Sequence, residues 1–154
     1  MEQELSKEIL EEVKPIIEGD KPLEDKLKAI CELLDEKVEY FDWTGFYLIN
    51  PDNFWELMLG PYIGEPTDHV IIKFGQGICG RTAVSKKTFV VQDVEKETNY
   101  LACSPDVKSE IVVPIMKGDE FVGELDIDSH KTGPFTDEDE KCLKDICKDL
   151  SKFF

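Results

Sequence analysis

The stretch "SEIVVPIMKGDEFVGELDIDS", residues 109–129, decides the architecture. Side chains fall on alternate faces along its first arm, a turn comes at Lys117–Asp119, and they alternate again to Ser129. Period-two alternation sends successive side chains to opposite faces, so the stretch reads as a β-hairpin. On the second arm Glu124, Asp126 and Asp128 share one face, and Leu125 and Ile127 the other. On the first, Glu110, Val112 and Pro114 alternate with Ile111, Val113 and Ile115. The apolar side of such a hairpin needs helices to cover it.

Those helices flank the strands. Leu5, Ile9, Leu10, Val13 and Ile17 follow a helical period, "EGDKP" interrupts it, and Leu23, Leu27, Ile30, Cys31, Leu34 and Val38 form a second stripe. "WTGFYLIN" and "FWELMLG", separated by "PDN", read as paired strands, and "HVIIKF" and "TFVVQDV" as shorter ones. "GQGICGRTAVSKK" opens on glycines and turns helical. "FTDEDEKCLKDICKDLSKFF" closes the chain with Thr136 as an N-cap and acids in its first turn. The expectation is one α+β domain over 1–154, its mostly antiparallel sheet covered by helices on one face. Helices occupy 1–40, the sheet and site loops 41–135, and the closing helix 136–154.

Composition narrows the function. A net charge of −16, with Arg81 the only arginine, opposes binding to a nucleic-acid backbone. No apolar run has the ~18–20 residues of a membrane span, and "MEQELSKEILEEV" has acids where a signal peptide is basic, so a soluble, cytoplasmic protein is expected. Five cysteines at 31, 79, 103, 142 and 147, with no CxxC pair, argue for reduced thiols and no metal. Cys31 and Cys147 lie on apolar helix stripes, and these two and Cys142 read as small hydrophobes.

The remaining candidates admit two readings each. Glu124, Asp126 and Asp128 form either a solvated face or a site for an ammonium group or a metal. Glu110 is either an exposed acid or a buried one, raised in pKa and able to donate a proton. Cys79 in "GQGICG" lies near a helix start, where thiol pKa values fall, or is a small packing residue. Trp43 and Tyr47 are core aromatics or pocket walls. Cys103 stands in the polar turn "YLACSPD".

The segments "WTGFYL", "LGPYIGEP", "GQGICG", "YLACS", "SEIVVPI", "GELDIDS" and "FTDEDE", in that order, resemble the free methionine-(R)-sulfoxide reductases, which are GAF domains. The resemblance implies reduction of free, not peptide-bound, methionine-(R)-sulfoxide. It implies Cys103 as nucleophile, Cys79 as recycling thiol and Glu110 as the acid near the sulfoxide. Asp126 and Asp128 would hold the substrate ammonium, with Trp43 and Tyr47 around its methyl-sulfur end. It further implies no bound cofactor, thioredoxin or another dithiol as external reductant, and a homodimer. One departure bears on the cycle: "GEPTDHV" has Asp68 and His69 where many members carry a further cysteine. A two-cysteine cycle is therefore expected, with Cys79 resolving a Cys103 sulfenic acid. The competing expectation is a non-catalytic GAF module sensing a small ligand or redox state.

Overall fold

The computed structural model describes residues 1–101 and 105–154; Cys103 lies outside them. Helices α1 (Gln3–Glu18) and α2 (Leu23–Lys37) lead the chain. Strands β1 (Trp43–Asn50), β2 (Asn53–Ile63) and β3 (Ile71–Lys73) follow, then α3 (Gly77–Ser85), β4 (Phe89–Val91), the hairpin β5 (Ser109–Lys117) and β6 (Glu120–Ser129), and α4 (Asp137–Leu150). The strands form one sheet in the order β3-β2-β1-β6-β5-β4. Every pairing is antiparallel, and the two hairpins join at β1–β6.

Alternation along the strands divides the interior into two clusters. One gathers Ile9, Val13, Leu27, Ile30, Leu34, Leu143, Ile146 and Leu150 against Phe46, Ile111, Val113, Leu125 and Ile127. Here α1, α2 and α4 lie over the apolar side of the 109–129 hairpin. A fully buried Leu or Ile contributes ~1.5–3 kcal/mol relative to exposure, so this larger cluster supplies the greater share of the apolar stabilisation. Thr136 caps α4 reciprocally with Asp139, as its position before four acids predicts.

The second cluster lies across the sheet. Trp43, Tyr47, Leu57, Ile72 and Val112 pack there with Ile78, Cys79 and Ala83 of α3. The one-face expectation thus describes α1, α2 and α4, while α3 covers the opposite face. Its glycine-rich entry makes that placement possible. Gly77 begins the helix at φ +63°, with Leu101 3.0 Å from where a Cβ would stand.

Candidate active site

Three cross-strand rows build the site on the α3 side of the sheet. Trp43 pairs with Asp128 and Asp128 with Glu110; Gly45 pairs with Asp126 and Asp126 with Val112; Tyr47 pairs with Glu124 and Glu124 with Pro114. Period two makes one face out of Glu110, Glu124, Asp126 and Asp128, and the register sets the aromatic residues of β1 beside it. The solvated-face reading fails here: Glu110 is 3% exposed, Glu124 0%, and Asp126 and Asp128 1% each. The exposed-acid reading of Glu110 fails with it.

An aromatic wall stands beside the acids. The Trp43 ring stacks on Tyr62 at 5.4 Å and on Tyr47 at 6.3 Å. Trp43 Nε1 donates to the Glu65 carbonyl at 3.0 Å, and the Tyr47 hydroxyl donates to the His69 carbonyl at 2.9 Å. These bonds fix the rings and tie the wall to the 65–69 loop. The wall also requires Gly45, because a Cβ there would lie 2.4 Å from the Trp43 ring.

α3 delivers Cys79 to the acids. Its thiol donates to Glu110 Oε1 at 3.7 Å, and it also stands beside Glu124. Donor atoms of Cys79, Glu110 and Asp126 all fall within 4.8 Å of one another. A narrow cavity of about 10 Å³ runs between Tyr47, His69, Cys79, Leu101, Glu110 and Asp126. A wider groove of about 1040 Å³ runs along α1 and α4, lined by lysines, acids, Ser6 and apolar side chains, with no cysteine among them.

The electrostatics reverse one expectation. Burial, then the charges of Asp126, Glu124 and Glu110, push the Cys79 thiol well above its ordinary pKa. The field of the α3 start cannot offset buried carboxylates this close. The first amide of that helix, Gly77 N–H, is moreover already bonded to Asn99 Oδ1 at 3.0 Å. Cys79 is therefore a protonated thiol at neutral pH, not the low-pKa thiol its helix position suggests. Glu110 is likewise held well above the carboxylate range by burial, then by Asp126 and Asp128. Burial raises Glu124 in the same direction, and carries Asp126 up to about 6.

The described candidates therefore converge: Cys79, Glu110, Asp126 and Asp128 meet beside Trp43 and Tyr47. Cys103 is the exception in that its position falls outside the described residues. Arg81 does not join them. It pairs with Glu97 at 3.1 Å and stacks over Phe89. Cys31, Cys142 and Cys147 are free, buried thiols, each raised in pKa mainly by burial, Cys142 to about 11. Sequence reasoning left two participants unassigned. Tyr62 carried no local signal, whereas Glu124 was legible as the third acid on the "GELDIDS" face.

Comparison with known proteins agrees with this geometry. A family model described as GAF domain matches residues 22–152. The free methionine-R-sulfoxide reductase of Escherichia coli (strain K12) is 38% identical over 120 residues, covering 78% of this chain and 70% of that protein. GAF domain-containing protein A of Dictyostelium discoideum is 37% identical over 146 residues, 95% of this chain and 90% of that one. The solved structure of a free methionine-R-sulfoxide reductase from Neisseria meningitidis with its substrate superposes with a TM-score of 0.92. It is 31% identical and covers 100% of this chain and 92% of that one. On fold, site geometry and these relationships, the chain belongs to the GAF family and, within it, to the free methionine-R-sulfoxide reductases.

Proposed function

We propose that this protein reduces free L-methionine-(R)-sulfoxide to methionine. The observation that carries the reading is the buried cluster of Cys79, Glu110 and Asp126 beside the Trp43–Tyr47 wall. Three parts of the substrate have a chemical counterpart in this cluster. Asp126 and Asp128 offer anions to the α-ammonium, which a residue inside a peptide lacks. Aromatic rings suit the methyl-sulfur end. Glu110, its carboxyl held well above the ordinary carboxylate range by burial and the neighbouring acids, donates to the sulfoxide oxygen.

The Cys103 sulfur attacks the substrate sulfur as its oxygen is protonated. Methionine departs and the oxygen remains on Cys103 as a sulfenic acid, with the Cys103 proton making up the balance. The thiol of Cys79 condenses with that group, releasing water and forming a disulfide, and an external dithiol such as thioredoxin restores both thiols. The electrons come from thiols throughout, so the cycle draws on no bound cofactor. That Cys79 is protonated at rest supports its role as the second thiol, since an initial nucleophile is a thiolate. A cavity of about 10 Å³ holds roughly one water, so substrate entry requires the cavity to widen. Two copies of the chain pair in this reading, which sedimentation measures.

The test is NADPH oxidation in a thioredoxin-coupled assay with the free R epimer, the free S epimer and a peptide-bound sulfoxide. The reading predicts turnover of the free R epimer alone, abolished in Cys103→Ser. Absence of turnover with both thioredoxin and dithiothreitol would instead favour a GAF module that senses a ligand. Cys79→Ser is expected to release one equivalent of methionine and then stall with thioredoxin. Normal cycling in that variant would remove Cys79 from the scheme.

A further inference from the structure

Glu124 is the acid the reductase scheme leaves without work. It is fully buried in the row between Tyr47 and Pro114. Neither carboxylate oxygen has a hydrogen-bond partner of ordinary geometry, yet the Cys79 thiol lies within its reach. An unsatisfied buried carboxylate costs several kcal/mol in order-of-magnitude terms, and an apolar residue of that size would fold more stably. Asp139, equally buried, shows the contrast: it accepts from the Tyr40 hydroxyl at 2.7 Å and the Thr136 amide at 2.8 Å. Asp139 serves the fold, and Glu124 has no such partners.

Resting on the reductase reading, we propose that Glu124 accepts the proton of Cys79 as that thiol condenses with the oxidised Cys103. Proton accounting separates its task from that of Glu110. In the first step two protons are in play, one from Cys103 and one from Glu110. One ends on the sulfenic acid oxygen and the other returns to Glu110, which enters the second step as an acid again. In the condensation the Cys79 sulfur bonds to the Cys103 sulfur and the S–O bond breaks. Glu110 protonates the departing hydroxide to water while Glu124 takes the Cys79 proton. The products are the disulfide, water, ionised Glu110 and protonated Glu124, so atoms and charge balance. The groups facing Glu124 are Cys79 from α3, Glu110 from β5, Asp126 on its own strand and, through the sheet, the Cys147 thiol of α4. None is a cation, so its proton affinity rises as burial dictates.

Rapid-quench single turnovers with free methionine-(R)-sulfoxide test this, following methionine release and the Cys79–Cys103 disulfide in one sample. In Glu124→Gln the ratio of disulfide rate to methionine rate is expected to fall about ten-fold or more, and Glu124→Asp to restore part of it. The wild-type disulfide rate rises with pH as Glu124 ionises and falls again as Glu110, the acid of the step, ionises. In Glu124→Gln the rising limb set by Glu124 is lost. The methionine burst counts folded, active sites, so misfolding cannot imitate the effect. An unchanged ratio in Glu124→Gln overturns the proposal and leaves Glu110 as the base. Wild-type methionine release without a Cys79–Cys103 disulfide overturns it too, while no methionine from wild type removes the reductase reading beneath it.

Discussion

Along β6 the two faces are equally buried and chemically opposite. Leu125 and Ile127 are wholly excluded from water, and so, within a percent, are Glu124, Asp126 and Asp128. The first pair meets α1, α2 and α4 in a continuous apolar cluster. The three acids meet one another, Glu110, a thiol and the edge of an aromatic wall. Equal burial with opposite chemistry means that one face holds the fold and the other, its acids raised in pKa by burial, opposes it. Buried acids with perturbed pKa values concentrate where function maintains them.

The comparison breaks first on its apolar side. Leu125→Ala is expected to lower unfolding stability in urea by ~2–5 kcal/mol, because the packed helices cannot close the cavity. Methionine release per folded molecule should persist below the melting range. A loss of activity at full folding would mean that the two faces are not separable.

A pH series sharpens the other side. Glu110, Glu124 and Asp126 are all raised in the folded protein, so in the window above pH ~4 it holds protons that the unfolded chain has released. Stability should therefore fall as pH rises, from about pH 4 through about 6 for Asp126 and onward for the glutamates. The slope is at most ~1.4 kcal/mol per pH unit for each proton held. Binding of an ammonium substrate should weaken in the reverse direction, as acidification below about 6 neutralises Asp126. Stability that rises steadily across this window in urea titrations would show the acids to be favourably paired.

Two smaller changes bound the contrast. Thr136→Ala removes the reciprocal cap of α4 and should cost ~1 kcal/mol in unfolding experiments. Cys142→Ala should leave thioredoxin-coupled turnover at the wild-type rate, since this thiol packs beneath the apolar face. A drop in turnover would bring a third cysteine into the cycle.

Much of this was legible because alternation is local. The 109–129 hairpin, its turn, the split of β6 into Leu125–Ile127 and Glu124–Asp126–Asp128, and the Thr136 cap all follow from spacing within a few residues. What sequence cannot express is which face a non-adjacent element covers. The position of α3 opposite the other helices, and hence the burial of the acids, depends on pairing β1 with β6 across some eighty residues. That same placement inverts the Cys79 pKa, since its surroundings come from β5 and β6 and not from its own helix. The stacking of Tyr62 on Trp43 is likewise set by the β1–β2 register, a contact between strands.

The central claim is that the acid face exists for substrate and not for the fold, and Asp126→Asn tests it most directly. Urea unfolding and turnover of free methionine-(R)-sulfoxide would be measured on the same preparation. The account predicts unchanged or slightly greater stability at neutral pH, with kcat/KM reduced by ~10–100-fold through loss of the ammonium contact. A variant as destabilised as Leu125→Ala, or one with undiminished kcat/KM, would contradict it.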